Sequence, residues 1–144
     1  MPAMSDYLES GVLHHIFRGQ SFSQPATIAV ALCSTVPAET QTGATIPEVS
    51  NAGSYARVVV GRGDSFWNFI VQSTGASGLV DNASAITFPT ATADWGMVSG
   101  VAILDSGVYG AGNLLFHAAL TTPRDVRSND TFQFGAGDMD VFLS

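Results

Sequence analysis

The segment TFQFGAGDMDVFL, residues 131–143, shows the fold class of this chain most plainly. Phe132 and Phe134 flank a polar residue, and after a glycine-containing turn Met139 and Val141 flank an aspartate. Apolar residues at every second position lie on one face of a β-strand, because successive side chains of a strand point to opposite sides. The segment therefore predicts two short strands, each with one buried face, joined by a turn.

Short apolar segments of the same kind recur along the chain from residue 26 onward. Each is rich in Val, Ile, Phe or Thr and is bounded by Gly, Pro, Asn or Asp, as strands between turns are. The predicted strands are Ala26–Cys33, Tyr55–Val60, Phe66–Val71, Ala85–Phe88, Met97–Leu104, Leu114–Leu120, Thr131–Phe134 and Met139–Leu143. No helical pattern separates them, so we expect a mainly β protein, an antiparallel β-sandwich or jelly-roll-like fold with one N-terminal α-helix.

The predicted helix is the segment SDYLESGVLHHIFRGQ, residues 5–20, where apolar residues recur at helical spacing. Ser5 is suited to the N-cap and Gly19 to the C-terminal end. An amphipathic helix of this length is marginal when isolated, so it must dock on its own domain or on a neighbour. We expect residues 1–19 to form a docking helix and residues 20–144 a single β-sandwich domain.

The composition of the chain argues against several classes of partner. Twelve acidic and 5 basic residues give a net charge of −7, and the basic residues are scattered arginines, so we expect binding neither to nucleic acid nor to a membrane. No apolar stretch is long enough for a transmembrane helix. Charged residues make up only 12%, which favours the subunit of an oligomer or assembly over a monomer. The single cysteine, Cys33, has no partner for an intrachain disulfide.

Catalytic and metal-binding motifs are not recognisable in the sequence. It contains no phosphate-binding loop, GxSxG, HExxH or CxxC. His14 and His15 point about 100° apart on a helix, and His117 falls in a strand-like run. Asp138 and Asp140 would share a strand face, but they have no third acidic ligand nearby. We therefore expect no enzyme, no cofactor and no metal.

Two loop-like segments separate the predicted strands. GRGDS, residues 61–65, contains the Arg-Gly-Asp tripeptide of cell-adhesion loops, but its glycines and aspartate between two apolar runs indicate a turn. The segment Ser34–Gly53 is rich in Thr, Pro and Gly and is predicted to be a long surface excursion, either a loop or an arm that wraps a neighbour.

Several segments together resemble a family of small structural proteins of tailed bacteriophages. They are SDYLES, LHHIFRG, PATIAVALCSTVP, SYARVVV, ITFPTATADWGMVSGVAILD and GNLLFHAALTTPRDVRSNDTFQFGAGDMDVFL, and they span nearly the whole chain. The most specific pieces are FPTATADWG and GNLLFHAALTTPRDVRSNDTF. Members of this family carry labels such as tail fibre, decoration or cement protein.

The resemblance implies a virion structural protein made in the cytoplasm of the bacterial host. Our first interpretation is a capsid cement or decoration protein on the head exterior, a homotrimer that clamps neighbouring major capsid proteins. The alternative is a tail-associated or tail-fibre module that binds tail proteins or takes part in host attachment. In either case we expect the partner to contact one helix face, formed by Leu8, Val12, Leu13, Ile16 and Phe17. The helix packing on its own domain stays open as the other interpretation.

Overall fold

The computed structural model describes residues 3–70 and 79–143. One helix and ten strands lie in these two ranges, and every strand pairing is antiparallel. The elements are β1 (Ala3–Met4), α1 (Asp6–Arg18), β2 (Ile28–Cys33), β3 (Val58–Val60), β4 (Trp67–Ile70), β5 (Leu79–Asn82), β6 (Ile86–Thr87), β7 (Gly96–Leu104), β8 (Leu114–Val126), β9 (Gln133–Phe134) and β10 (Asp140–Phe142). The predicted mainly β, antiparallel class with one N-terminal helix is confirmed.

The strands form three sheets. The largest has five strands in the order β1-β8-β7-β2-β3, a second has the order β10-β5-β4, and β6 pairs with β9. In the largest sheet the long strands β7 and β8 pair from Gly96↔Val126 to Leu104↔Leu114, with two register shifts along the way. The sandwich or jelly-roll arrangement of these sheets stays a prediction.

Each apolar run identified in the sequence contains a strand. The largest differences between the predicted and the observed strands lie in polar segments. β8 continues to Val126, beyond the predicted end at Leu120, because Arg124, Asp125 and Val126 pair again with β7 after an irregular stretch. The short strands β1 and β5 were not predicted, since neither has a distinct apolar run. The predicted end of the third run, Val71, lies outside the described residues.

The centre of the largest sheet is buried on both faces. Residues 29–33 of β2 are all fully buried. Val30 and Leu32 belong to a large apolar cluster, whereas Ala31 and Cys33 belong to a smaller one on the other face. The large cluster joins the main sheet to β6, β10 and the segments around them. Strands buried on both faces have continuous apolar sequences, which is why the run in β2 shows no alternation.

Part of the Ser34–Gly53 segment packs against the main sheet instead of standing free in solvent. Its Ile46 is buried in the smaller cluster, and Glu48 forms an isolated bridge with Cys33. Arg57, which is buried, forms an ion pair with Glu48 at 2.8 Å. The prediction of a long surface excursion was therefore wrong for this part of it, because the sequence gives no sign of a buried ion pair nine residues apart.

All five N–H groups of the Arg57 guanidinium have acceptors. Two go to the Glu48 carboxylate, from Nε and Nη2, each at 2.8 Å. The other three go to backbone carbonyls of Gly43, Ser106 and Ala111, at 3.0, 3.0 and 2.8 Å. This single side chain thus ties the 34–53 segment to the loop between β7 and β8.

Candidate docking surface

The helix α1 begins and ends at strong capping residues. Ser5 is its N-cap, and the Ser5 hydroxyl accepts a hydrogen bond from the Leu8 amide at 3.2 Å while donating to the Leu114 carbonyl of β8. Gly19 is the C-cap in the left-handed conformation, with φ of 63°, which costs glycine little. Both predicted caps are confirmed, and the buried Ser5 fixes the start of the helix against the main sheet.

The inner face of α1 is turned toward its own chain, and Leu8 packs against the large apolar cluster. Leu8 and Val12 line an apolar groove of about 410 Å³, together with Phe22, Ile28 and other residues of the sheet and the chain end. Gly11 lies beside Phe22 so closely that a Cβ there would be 2.4 Å from the ring. A glycine that weakens the helix by about 1 kcal/mol therefore has a packing reason.

The chain after α1 folds back along the inner side of the helix. The His15 Nδ1 is 3.1 Å from the Gln20 carbonyl oxygen, and the Phe22 amide is 3.5 Å from the same nitrogen. Tyr7 and Phe22 have ring centroids 6.0 Å apart. Phe22 was not among the predicted site residues, because its only sequence signal is an aromatic residue shortly after the end of the helix.

The outer face of α1 leaves large apolar side chains in solvent. Leu13, Ile16 and Phe17 are 54%, 63% and 78% exposed. No residue of α1 is fully buried. The predicted set therefore divides: Leu8 and Val12 face the protein's own sheet, whereas Leu13, Ile16 and Phe17 form an exposed group, here called the outer apolar face.

Two acidic residues of α1 lie on the same side of the helix as the outer apolar face. Asp6 and Glu9 lie in the first turn, and helical spacing of 100° per residue puts them in line with Leu13 and Ile16. Arg18 lies in the last turn. Carboxylates near a helix N-terminus and cations near its C-terminus are both stabilising. A partner of this face would need an apolar surface flanked by positive charge on one side.

The other candidate residues do not come together in the structure. Among residues 3–70 and 79–143, no group of three or more His, Cys, Asp and Glu side chains is arranged to hold a metal ion. Asp138 lies in a turn, where its carboxylate accepts the Gly135 amide at 2.8 Å, whereas Asp140 lies in β10 opposite Asp81. The prediction that Asp138 and Asp140 share a strand face was wrong, because β10 begins only after the turn.

The GRGDS segment is a turn that carries the chain from the main sheet to the second sheet. The Phe66 and Trp67 amides both donate to the Gly63 carbonyl at 3.0 Å, and Gly63 has a positive φ of 97°. β3 pairs with β2, and β4 pairs with β5, so the turn does not join a hairpin. The predicted turn is confirmed at this position.

The buried thiol and phenol of the core are held in their neutral forms. Burial, with a smaller contribution from Glu48, raises the pKa of Cys33 to about 12. Burial also raises the pKa of Tyr55, whose hydroxyl donates to Glu48 at 2.9 Å and accepts the Leu32 amide at 3.0 Å. A thiol with a raised pKa is a poor nucleophile, so Cys33 acts as a small packing residue.

Comparison with curated proteins finds no match for this chain. In the parts of the chain that the structure describes, no helix is long and apolar enough to span a membrane. The family model described as "Podophage GP4 fiber I protein gp80" matches residues 3–142.

That description names a fibre protein and contains no reference to a capsid cement protein. Of our two sequence-based interpretations, it therefore fits the tail-fibre alternative better than the cement protein. The match covers all but the first two and last two residues, and it agrees with the resemblance carried by the sequence segments. The chain therefore belongs to this family of small structural proteins of tailed bacteriophages.

Proposed function

We propose that this chain is a non-catalytic, tail-associated fibre module of a podophage-like virion. In this proposal it attaches to a neighbouring tail protein through the outer apolar face of α1. The family description supports a fibre location, and it gives no support to the cement interpretation. We interpret the packing of the main sheet against the smaller sheets as a sandwich that holds the helix at one end.

The outer apolar face is the observation that carries the attachment. Three large apolar side chains on a helix with no fully buried residue are left in solvent. An amphipathic helix that places such a face in an apolar groove of a partner is a recurring mode of recognition. The start of the helix is fixed by the buried Ser5 cap and by Leu8, which packs against the large apolar cluster, so docking would cost little ordering of the chain.

Two further features support a role in assembly. The charged fraction is only 12%, and the exposed apolar residues include Val59 and Met97 as well as the helix face. Self-association as a homotrimer is part of the proposal. Size-exclusion chromatography with light scattering tests it directly, and a monomer at micromolar concentration would contradict it.

The test of the attachment compares two surface variants in assembled particles. The double variant Leu13→Ser, Phe17→Ser removes most of the outer apolar face. Val108→Ser is the matched control, because Val108 is as exposed as these residues but lies in the loop between β7 and β8. Both variants should fold, since exposed substitutions change stability by less than about 0.5 kcal/mol.

We expect the helix variant to be missing from purified particles and the Val108 variant to be present at the wild-type level. Immunoblots of particles and circular dichroism of the isolated chains provide the two readouts. Normal incorporation of a folded helix variant would contradict attachment through this face.

A further inference from the structure

The outer apolar face of α1 continues into an acidic stretch toward the start of the helix. At 100° per residue, Asp6 and Glu9 lie within about 40° of Leu13 around the helix axis. Both acidic side chains are exposed, and neither has an ion-pair partner among the described residues. One side of the helix is therefore acidic in its first half and apolar in its second half.

A third acidic residue lies at the same end of the helix. The Glu39 backbone carbonyl accepts the Asp6 amide at 3.0 Å, and Glu39 is exposed. The basic residues of the last turn, His15 and Arg18, lie about 140–160° around the axis from Leu13. The cations of the helix therefore lie at its other end and on its other side, and they leave the acidic end unneutralised.

The order of these residues argues against pairing of the outer apolar face with itself. Positions 6, 9, 13 and 16 follow the three-four spacing of a coiled-coil seam. In a parallel pair, or around a threefold axis, the carboxylates of each copy would lie beside one another, and such juxtaposed like charges oppose binding. In an antiparallel pair the acidic half of each helix would face the apolar half and the partly negative C-terminal end of the other.

The arginines of this chain provide no basic surface for the face either. The chain contains no lysine, and Arg57 is buried. Arg127 pairs with a neighbouring aspartate at 2.9 Å, and both grooves that Arg124 lines also contain aspartates. Arg62 is followed two residues later by an aspartate. Because each copy carries a net charge of −7, docking of this face on a second copy is opposed by charge.

We propose that the outer apolar face docks on a different virion polypeptide, on an apolar surface that carries Arg or Lys side chains at the end that meets Asp6 and Glu9. This inference rests on the proposed function, because it names the chemistry of the partner of the same face. The apolar half of the face supplies the contact area. The acidic half sets the direction in which the helix lies on its partner, since complementary charges fix the register and speed the encounter more than they raise affinity.

Competition for places in the virion tests the proposal. The acidic variant Asp6→Asn, Glu9→Gln removes two negative charges from the face, and the matched control Asp64→Asn, Asp140→Asn removes two exposed negative charges elsewhere. Each variant is produced together with the wild-type chain in host cells infected by phage that lack the gene. Mass spectrometry then compares the ratio of variant to wild type in purified particles with the same ratio in the cell lysate.

We expect the acidic variant to be depleted in particles by about fivefold or more, and the control variant to keep the ratio of the lysate. Circular dichroism of the isolated chains checks that the helix remains, because carboxylates in the first turn also stabilise the helix itself. Incorporation of the acidic variant at the level of the control would overturn the proposal.

Photo-crosslinking in intact particles is a second readout that keeps both carboxylates in place. A benzophenone amino acid replaces Ser10, which is exposed at the border of the face next to Glu9. We expect a crosslink to another virion protein, with Arg or Lys beside the point of attachment. A crosslink to a copy of this chain, a crosslink to a segment without basic residues, or no crosslink at all would each count against a basic partner.

The proposed function and this inference fail in different ways. If the Leu13→Ser, Phe17→Ser variant competes as well as wild type, attachment through the outer apolar face is contradicted. If that variant is excluded from particles while the acidic variant competes normally, the attachment stands and only the basic partner is overturned.

Discussion

Replacing Glu48 by glutamine should be among the most destabilising single changes in this protein. The substitution keeps the size of the side chain but leaves the buried Arg57 charge without its counter-ion. The glutamine also places an amide NH₂ group, which donates hydrogen bonds, next to the Arg57 guanidinium. All five N–H groups of the guanidinium are donors too, so the two groups cannot pair. Removing one partner of a buried ion pair costs about 3–5 kcal/mol. Native proteins are stable by about 5–15 kcal/mol, so the loss is a large fraction of the total.

Substituting both members of the pair should not restore stability here. Many buried ion pairs can be replaced by apolar residues at little cost. Arg57, however, also donates to the carbonyls of Gly43, Ser106 and Ala111. Each carbonyl left without a donor in the interior costs about 1–3 kcal/mol. The double variant Glu48→Leu, Arg57→Met is therefore expected to be at least as unstable as Glu48→Gln.

Urea denaturation followed by circular dichroism measures these differences. Glu39→Gln is the matched control, because Glu39 lies on the same 34–53 segment but its side chain is exposed. The control should change the free energy of unfolding by less than about 0.5 kcal/mol. If Glu48→Gln lost less than about 1 kcal/mol, or if the double variant matched wild type, the ion pair would not be what holds this segment.

Three further predictions concern the helix and the core. Leu8→Ala should lower the free energy of unfolding by about 1 kcal/mol or more, and Phe17→Ala by less than about 0.5 kcal/mol; equal losses in urea titrations would contradict the division of the helix into two faces. Gly11→Ala should lower Tm despite its gain of about 1 kcal/mol in helix propensity, since the new Cβ would lie 2.4 Å from the Phe22 ring; a higher Tm in thermal unfolding would refute this. The thiol of Cys33 keeps its proton up to about pH 12 in the folded protein but loses it above about pH 9 in the unfolded chain. The contribution of this thiol to the free energy of unfolding is therefore complete below pH 9. Above pH 9 that contribution should fall by up to about 1.4 kcal/mol per pH unit. Cys33→Ala should show a smaller decline between pH 8 and pH 10 in urea titrations, and an unchanged decline would argue against the raised pKa.

The strand pattern could be predicted because most strands of this chain bury at least one apolar face. Two such patterns can be recognised from the sequence alone. They are the alternating residues of β10 and the continuous apolar run of β2. The second half of β8, LTTPRDV, has no such signal, since its residues are mostly exposed. Its last three residues, Arg124 to Val126, pair with β7, and pairing with a neighbour cannot be deduced from local composition.

The docking surface was only half predictable for a geometric reason. Apolar residues occupy a wide arc of the α1 surface. The periodicity of the sequence identifies this arc, but it does not show which part of the arc is buried against the rest of the chain. The deciding contacts come from β8 and from Phe22, and both depend on the tertiary fold.

The number and place of the copies in the virion test the proposed function most directly. Heads and tails are separated from purified particles, and quantitative mass spectrometry compares this chain with the major capsid protein in each fraction. We predict a small number of copies per particle, all in the tail fraction. A ratio near one copy per capsid subunit in the head fraction would contradict a fibre module and restore the cement interpretation.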